Sequence, residues 1–139
     1  MKKSIYSSVE QLKQVVQELA FRLNQIEEVK RKTSNIRSKF RFEITDLSFC
    51  FDFKIWEGEI EVSFVDSGDH SASLKMDSQI FHEAMAGTLN LPVALVKRSL
   101  VIEGDTRSVL NLVSLGKFLN STYKQVFSEL VSGETSNEA

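Results

Sequence analysis

The stretch FRFEITDLSFCFDFKIWEGEIEVSF, residues Phe40–Phe64, decides the fold. Phe40, Phe42 and Ile44 alternate with Arg41, Glu43 and Thr45. After Asp46, Phe49, Phe51, Phe53 and Ile55 alternate with Cys50, Asp52 and Lys54. Ile60, Val62 and Phe64 then alternate with Glu59, Glu61 and Ser63. A period of two belongs to a strand, whose successive side chains point to opposite faces. Glu57-Gly58 suits a tight hairpin turn. Beyond the turn signal Ser67-Gly68-Asp69, Ala72, Leu74 and Met76 alternate with Ser71, Ser73 and Lys75 as a fourth strand. Consecutive strands joined by short turns predict an antiparallel meander with one apolar and one polar face. Six of the ten phenylalanines lie in this stretch, so the apolar face is bulky and needs cover.

That cover is found on both sides of the strands. Upstream, Val9, Leu12, Val16, Leu19, Leu23 and Ile26 recur at alternating spacings of three and four, one apolar stripe on an α-helix. Ser7 or Ser8 caps its start, and Thr33-Ser34-Asn35 reads as a break after a helix that runs to about Lys30. Downstream, Asp77 is placed to cap a short helix carrying Ile80, Phe81, Ala84 and Met85, with Gly87 as its stop. Asn90-Leu91-Pro92 opens a second short helix through Val93, Leu95 and Val96. Leu100-Val101-Ile102 is a short strand. Gly104-Asp105 turns into a last long helix bearing Val109, Leu112, Gly116, Leu119, Tyr123, Val126 and Leu130. Gly116 sits on that stripe, where it permits close approach or marks a bend. The polar residues 132–139 read as a disordered tail, leaving 1–131 as a single domain.

Composition narrows the function classes. The chain has 139 residues, enough for one core. Its only cysteine, Cys50, excludes an intrachain disulfide and fits a reducing compartment. No window approaches the ~18 apolar residues of a membrane span, no apolar segment follows Lys2 and Lys3 as in a signal peptide, and the expectation is a cytoplasmic protein. The net charge of −2 hides an asymmetry. Residues 1–41 carry ten Lys/Arg against four Glu, and the acidic excess lies in 42–139. Lys30, Arg31, Lys32, Arg37, Lys39 and Arg41 have no acid among them. Cations at a solvated helix end complement the dipole. The same run, chiefly Lys30, Arg31, Lys32, Arg37 and Lys39, suits peripheral contact with an anionic membrane or a phosphate. Nucleic acid is the weakest partner, since the remainder is acidic and no aromatic is interleaved except Phe40.

No catalytic constellation emerges. His82-Glu83 suggests acid–base chemistry, yet neighbours in sequence point to different sides of a helix and no nucleophile accompanies them, so His82 reads as exposed surface. Cys50, His70 and His82 lack metal-ligand spacing, and neither metal nor cofactor is expected. Phe49, Phe51 and Phe53 form a packed core on periodicity alone. A pocket wall is the other reading.

Residues 74–105, LKMDSQIFHEAMAGTLNLPVALVKRSLVIEGD, with the apolar helix that follows to Leu119, resemble the sterol carrier protein type 2 lipid-binding domain family. Asp77, Phe81, Gly87, Pro92, Leu100, Ile102, Gly104 and Asp105 stand where that pattern wants them. Two departures are Arg98-Ser99, where a glycine usually precedes the last strand, and a final helix continuing past Gly116 to about Val131. The resemblance implies an α+β fold, a five-stranded mostly antiparallel sheet with helices covering one face. It also implies an apolar tunnel for a hydrophobic small molecule such as a fatty acid, fatty acyl-CoA or sterol-like lipid. It points to Phe49, Phe51, Phe53, Ile80, Phe81, Met85, Leu95, Ile102, Leu112, Leu115 and Leu119 as ligand contacts, in a non-enzymatic carrier that is a monomer or homodimer. The alternative is an accessory dimerisation module of the same fold with a filled core.

Overall fold

The computed structural model describes residues 5–65 and 68–132. The first helix, α1 (Val9–Leu23), starts where Ser8 Oγ accepts from the Gln11 N–H, and it buries Leu12, Val15, Val16, Leu19 and Leu23. It stops seven residues short of Lys30 for a tertiary reason. The Asn24 side-chain amide donates to the Ile60 carbonyl (2.8 Å) and its oxygen accepts from the Ile60 N–H (2.9 Å). These bonds satisfy the backbone of an edge strand and take the chain out of the helix. A separate helix, α2 (Glu27–Thr33), follows, with Glu27 and Glu28 in its first turn and Lys30, Arg31 and Lys32 in its last. Both sets of charges complement the helix dipole.

The strands are β1 (Arg37–Ile44), β2 (Phe49–Trp56), β3 (Glu59–Ser63), β4 (Ala72–Met76) and β5 (Val101–Gly104). β1 and β2 are antiparallel, with Phe40 opposite Phe53 and Phe42 opposite Phe51. Glu57 and Gly58 both have positive φ in the β2–β3 turn, as a two-residue hairpin of matching twist requires. The four-strand meander, however, holds only for β1 to β3. β4 leaves β3 and pairs parallel with β1, Phe40 opposite Ala72 and Ile44 opposite Met76, giving the order β3-β2-β1-β4-β5. A parallel pair needs a crossover rather than a turn. Its described end, residues 69–71, lies on the polar face. It is pinned by Ser71, whose N–H donates to the Lys39 carbonyl (2.7 Å) and whose hydroxyl accepts from the Lys39 N–H (3.1 Å). Beneath it Asp52 is buried, 3.1 Å from Arg41 Nε and 3.5 Å from His70 Nε2.

β5 completes the sheet antiparallel to β4, with Leu74 opposite Ile102. Helices α3 (Ser78–Ala86) and α4 (Leu91–Val96) begin at Asp77 and Asn90, whose side chains accept from Ile80 N–H and Val93 N–H. Gly87 ends α3 at φ +84°. The last helix is two helices, α5 (Val109–Ser114) and α6 (Gly116–Phe127), with a break at Leu115 and a final π turn over Ser128–Ser132. Helices α1, α3 and α6 pack on one another over the apolar sheet face. Three of the four strand pairings are antiparallel, and the α+β class stands. The polar tail expected from 132 lies, from 133 onward, outside the described residues.

Candidate functional site

Side-chain size along the sheet decides where space remains. On β1 and β2 most inward positions are phenylalanines, and their rings pack on one another. Phe42 stacks on Phe51 (centroids 5.1 Å apart). Phe81 of α3 stands edge-on to both, at 5.8 and 5.9 Å. Such edge-to-face and offset pairs are favourable beyond their area. The void left among Val16, Leu19, Phe42, Phe51, Phe53, Phe81, Met85, Leu112 and Leu119 is about 10 Å³, at most the room for one water.

Toward β4 and β5 the inward residues are Leu74, Met76 and Ile102, and the covering positions include Ala84, Gly87 and Gly116. Here an apolar cavity of about 390 Å³ opens. Phe42, Leu74, Met76 and Ile102 form its sheet side, Ala84 and Met85 come from α3, and Leu112, Gly116 and Leu119 from α5 and α6. Lys117 and Asn120 are the polar side chains on its lining. A Cβ added at Gly116 meets nothing within 4 Å, so this glycine marks a bend beside open space rather than a close approach. Leu91 and Val113 line the cavity and are themselves exposed, which locates its mouth between α4 and α5.

The expected contacts are therefore distributed. Met85, Ile102, Leu112 and Leu119 line the cavity. Phe51, Phe53 and Phe81 border only the small void, together with Met85, Leu112 and Leu119. Phe49 and Ile80 are half-buried against the core, Leu115 is wholly buried, and Leu95 is 41 % exposed on α4. None of these four lines either space. The cavity's Phe42, Leu74, Met76 and Leu100 were not among the expected ligand contacts. Their apolar alternation was visible, but which edge of the sheet held free space was not.

His82 corrects an expectation. It is half-buried, not surface, with Nδ1 2.7 Å from Tyr123 Oη and its ring 4.4 Å from that of Phe127. Tyr123 Oη also meets Tyr6 Oη, in a buried pair. Burial lowers the His82 pKa from its ordinary 6.5, partly opposed by Glu83, and raises both tyrosines. In the Nε2–H tautomer of the neutral imidazole, Nδ1 accepts from Tyr123 Oη and the chain runs Tyr6 to Tyr123 to His82. These residues tie the N-terminal segment, α3 and α6 together and do not line the cavity. The sequence signal was Tyr123 on the apolar stripe, since a buried tyrosine needs a partner.

The first cations of the basic run lie at the β2–β3 end of the sheet. The Gly58 N–H donates to the Thr33 carbonyl, which anchors α2 beside that hairpin. Lys30, Arg31 and Lys32 are exposed, and Arg37 Nη2 pairs with Glu57 Oε2 at 2.7 Å. Among the described residues no group of three or more His, Cys, Asp or Glu could hold a metal ion, and no helix is long and apolar enough to cross a membrane.

A family model described as the SCP-2 sterol transfer family matches residues 16–117. A search of curated sequences finds no significant match. Among solved structures, the chain is similar to a UbiJ-SCP2 ubiquinone synthesis protein at 18 % identity and TM-score 0.63, covering 76 % of this chain and 95 % of that one. It is similar to the sterol carrier protein domain 2 of Helicoverpa armigera at 15 % and 0.63, covering 86 % and 96 %. Palmitated SCP2L2 from Aedes aegypti matches at 14 % and 0.54, over 78 % and 93 %. At these identities the structures show a shared fold.

Proposed function

The chain belongs to the SCP-2 sterol transfer family, and from that membership we infer that it binds and transfers a lipid in the cavity between α3, α5, α6 and the β4–β5 edge. The observation that carries this reading is the cavity itself: about 390 Å³, lined mostly by apolar side chains, with Lys117 and Asn120 as its polar ones. Its size falls within the ~300–1,000 Å³ of small-molecule sites. Each methylene taken from water contributes about 0.8 kcal/mol, so an acyl chain needs no specific polar contact inside. A palmitated relative fits an acyl ligand.

The cavity and the small void share Phe42, Met85, Leu112 and Leu119. Met85 is the flexible member of that partition. A rotamer change there joins the two spaces into a tunnel reaching Phe51, Phe53 and Phe81. Residues 1–131 act as a single cytoplasmic unit that carries its ligand without a chemical step, with no metal or cofactor. The cations of the basic run serve the end of α2 and Glu57, and peripheral membrane contact through them is one arm of the experiment below.

Native mass spectrometry of the purified protein, with solvent extraction, tests the reading. A co-purifying lipid, displaced by added fatty acid, is expected. A lipid-free protein that takes up no fatty acid contradicts it. The second reading, a filled-core dimerisation module, draws on the solid phenylalanine packing around Phe81. It predicts a monodisperse homodimer without lipid uptake.

A further inference from the structure

Exposed large apolar side chains concentrate at one place on the described surface. Leu91, Val93, Leu95 and Val96 of α4 and Leu110 and Val113 of α5 are all exposed, Val96 at 84 % and Leu110 at 62 %. Elsewhere only Phe21, Trp56 and Val65 share that property. A contiguous exposed apolar patch marks an interaction surface. Two of these six, Leu91 and Val113, also line the cavity, so the exposed apolar side chains of α4 and α5 reach its mouth.

Charge identifies the occupant. Lys97 and Arg98 directly follow Val96, Arg107 precedes Leu110 by three residues, and Lys117 lines the cavity itself. Among the described residues none of these four cations is ion-paired. The acids of the same stretch face elsewhere or are engaged. Glu103 lies opposite Ser73, one residue out of phase with the inward pair Leu74–Ile102, and so belongs to the polar sheet face. The Asp105 carboxylate accepts from the Arg107 N–H at 3.0 Å. A two-fold contact between copies would set the same four cations against one another. An anionic lipid surface instead accepts apolar side chains at shallow depth and attracts the cations around them.

We propose that α4 and α5 form a docking surface for an anionic bilayer, onto which the cavity mouth opens. The proposal stands on exposure and charge at the rim, so it is separable from what the cavity holds.

The experiment is co-sedimentation of the full chain with vesicles of phosphatidylcholine alone or with added phosphatidylglycerol, at low and high salt. Binding to the anionic vesicles that weakens with salt is expected. The double variant Val96→Asp with Leu110→Asp touches neither the cavity lining nor the core. It is expected to lower the bound fraction at least tenfold while fluorescent fatty-acid binding is retained. Arg31→Glu with Lys32→Glu, in the basic run, is expected to leave vesicle binding unchanged. No vesicle binding, binding indifferent to the rim variant, or binding abolished by the basic-run variant overturns the proposal. So does a wild-type dimer, seen by light scattering, that the rim variant converts to monomer. Vesicle binding by a chain that takes up no fatty acid supports the docking surface and contradicts the cavity reading alone.

Discussion

Burial makes His82 a weaker base than a free imidazole, and that difference sets a pH dependence. The folded pKa lies below the unfolded value of 6.5, so protonation favours the unfolded chain. The stability that neutral His82 contributes is complete above pH 6.5 and is lost as pH falls toward the folded value. Urea midpoints should therefore decline as pH falls through and below about 6.5. His82→Gln, which keeps an acceptor for Tyr123, should flatten that decline; an unchanged profile contradicts the assignment. What was legible at this scale was local. Ser8, Asp77 and Asn90 cap where their spacing places them, because a cap needs only its own next turn. The burial of His82 and Asp52 was not legible. It comes from α6 and from the β3–β4 crossover, both distant in sequence.

Elements followed their periodicity, while their partners followed tertiary contacts. Each predicted strand forms, yet β4 pairs with β1, because alternation records a face and not a neighbour. Of the Ser67-Gly68-Asp69 signal, Ser67 lies outside the described residues, while Gly68 and Asp69 precede a strand that does not pair with β3. The stripe from Val9 to Ile26 continues through Asn24, but the amide of Asn24 is taken by Ile60 and α1 ends there. Asn24→Ala removes both bonds at a covered sheet edge. The expected cost is about 1–3 kcal/mol, read as a shift in denaturant midpoint. Amide exchange should also rise at Ile60. No change in either measurement contradicts the account of why α1 stops. Gly116 was legible as an irregularity on a stripe, and the structure resolves it as the first residue of α6 after the break at Leu115.

At the scale of the molecule, the apolar sheet face and its helical cover were readable from residue pattern, and the downstream resemblance gave the fold. The free space was harder to read. Ten phenylalanines drew attention to β2, where bulky rings interlock and leave about 10 Å³. The cavity lies at the thinner edge, where leucine, methionine, alanine and glycine face one another. Side-chain volumes summed across layers decide that, and a single strand's alternation does not contain the sum. The central claim is that this space holds a lipid. Gly116 tests it most directly, because a side chain added there enters open space bordering the cavity. Replacing a helical glycine also carries no propensity cost. Fluorescent fatty-acid titrations of the wild type and Gly116→Leu, with denaturant midpoints of both, make the comparison. The account predicts saturable wild-type binding, at least about tenfold weaker in the variant, or about 1.4 kcal/mol, with the fold no less stable. Equal binding by the two proteins, or none by the wild type, would contradict it.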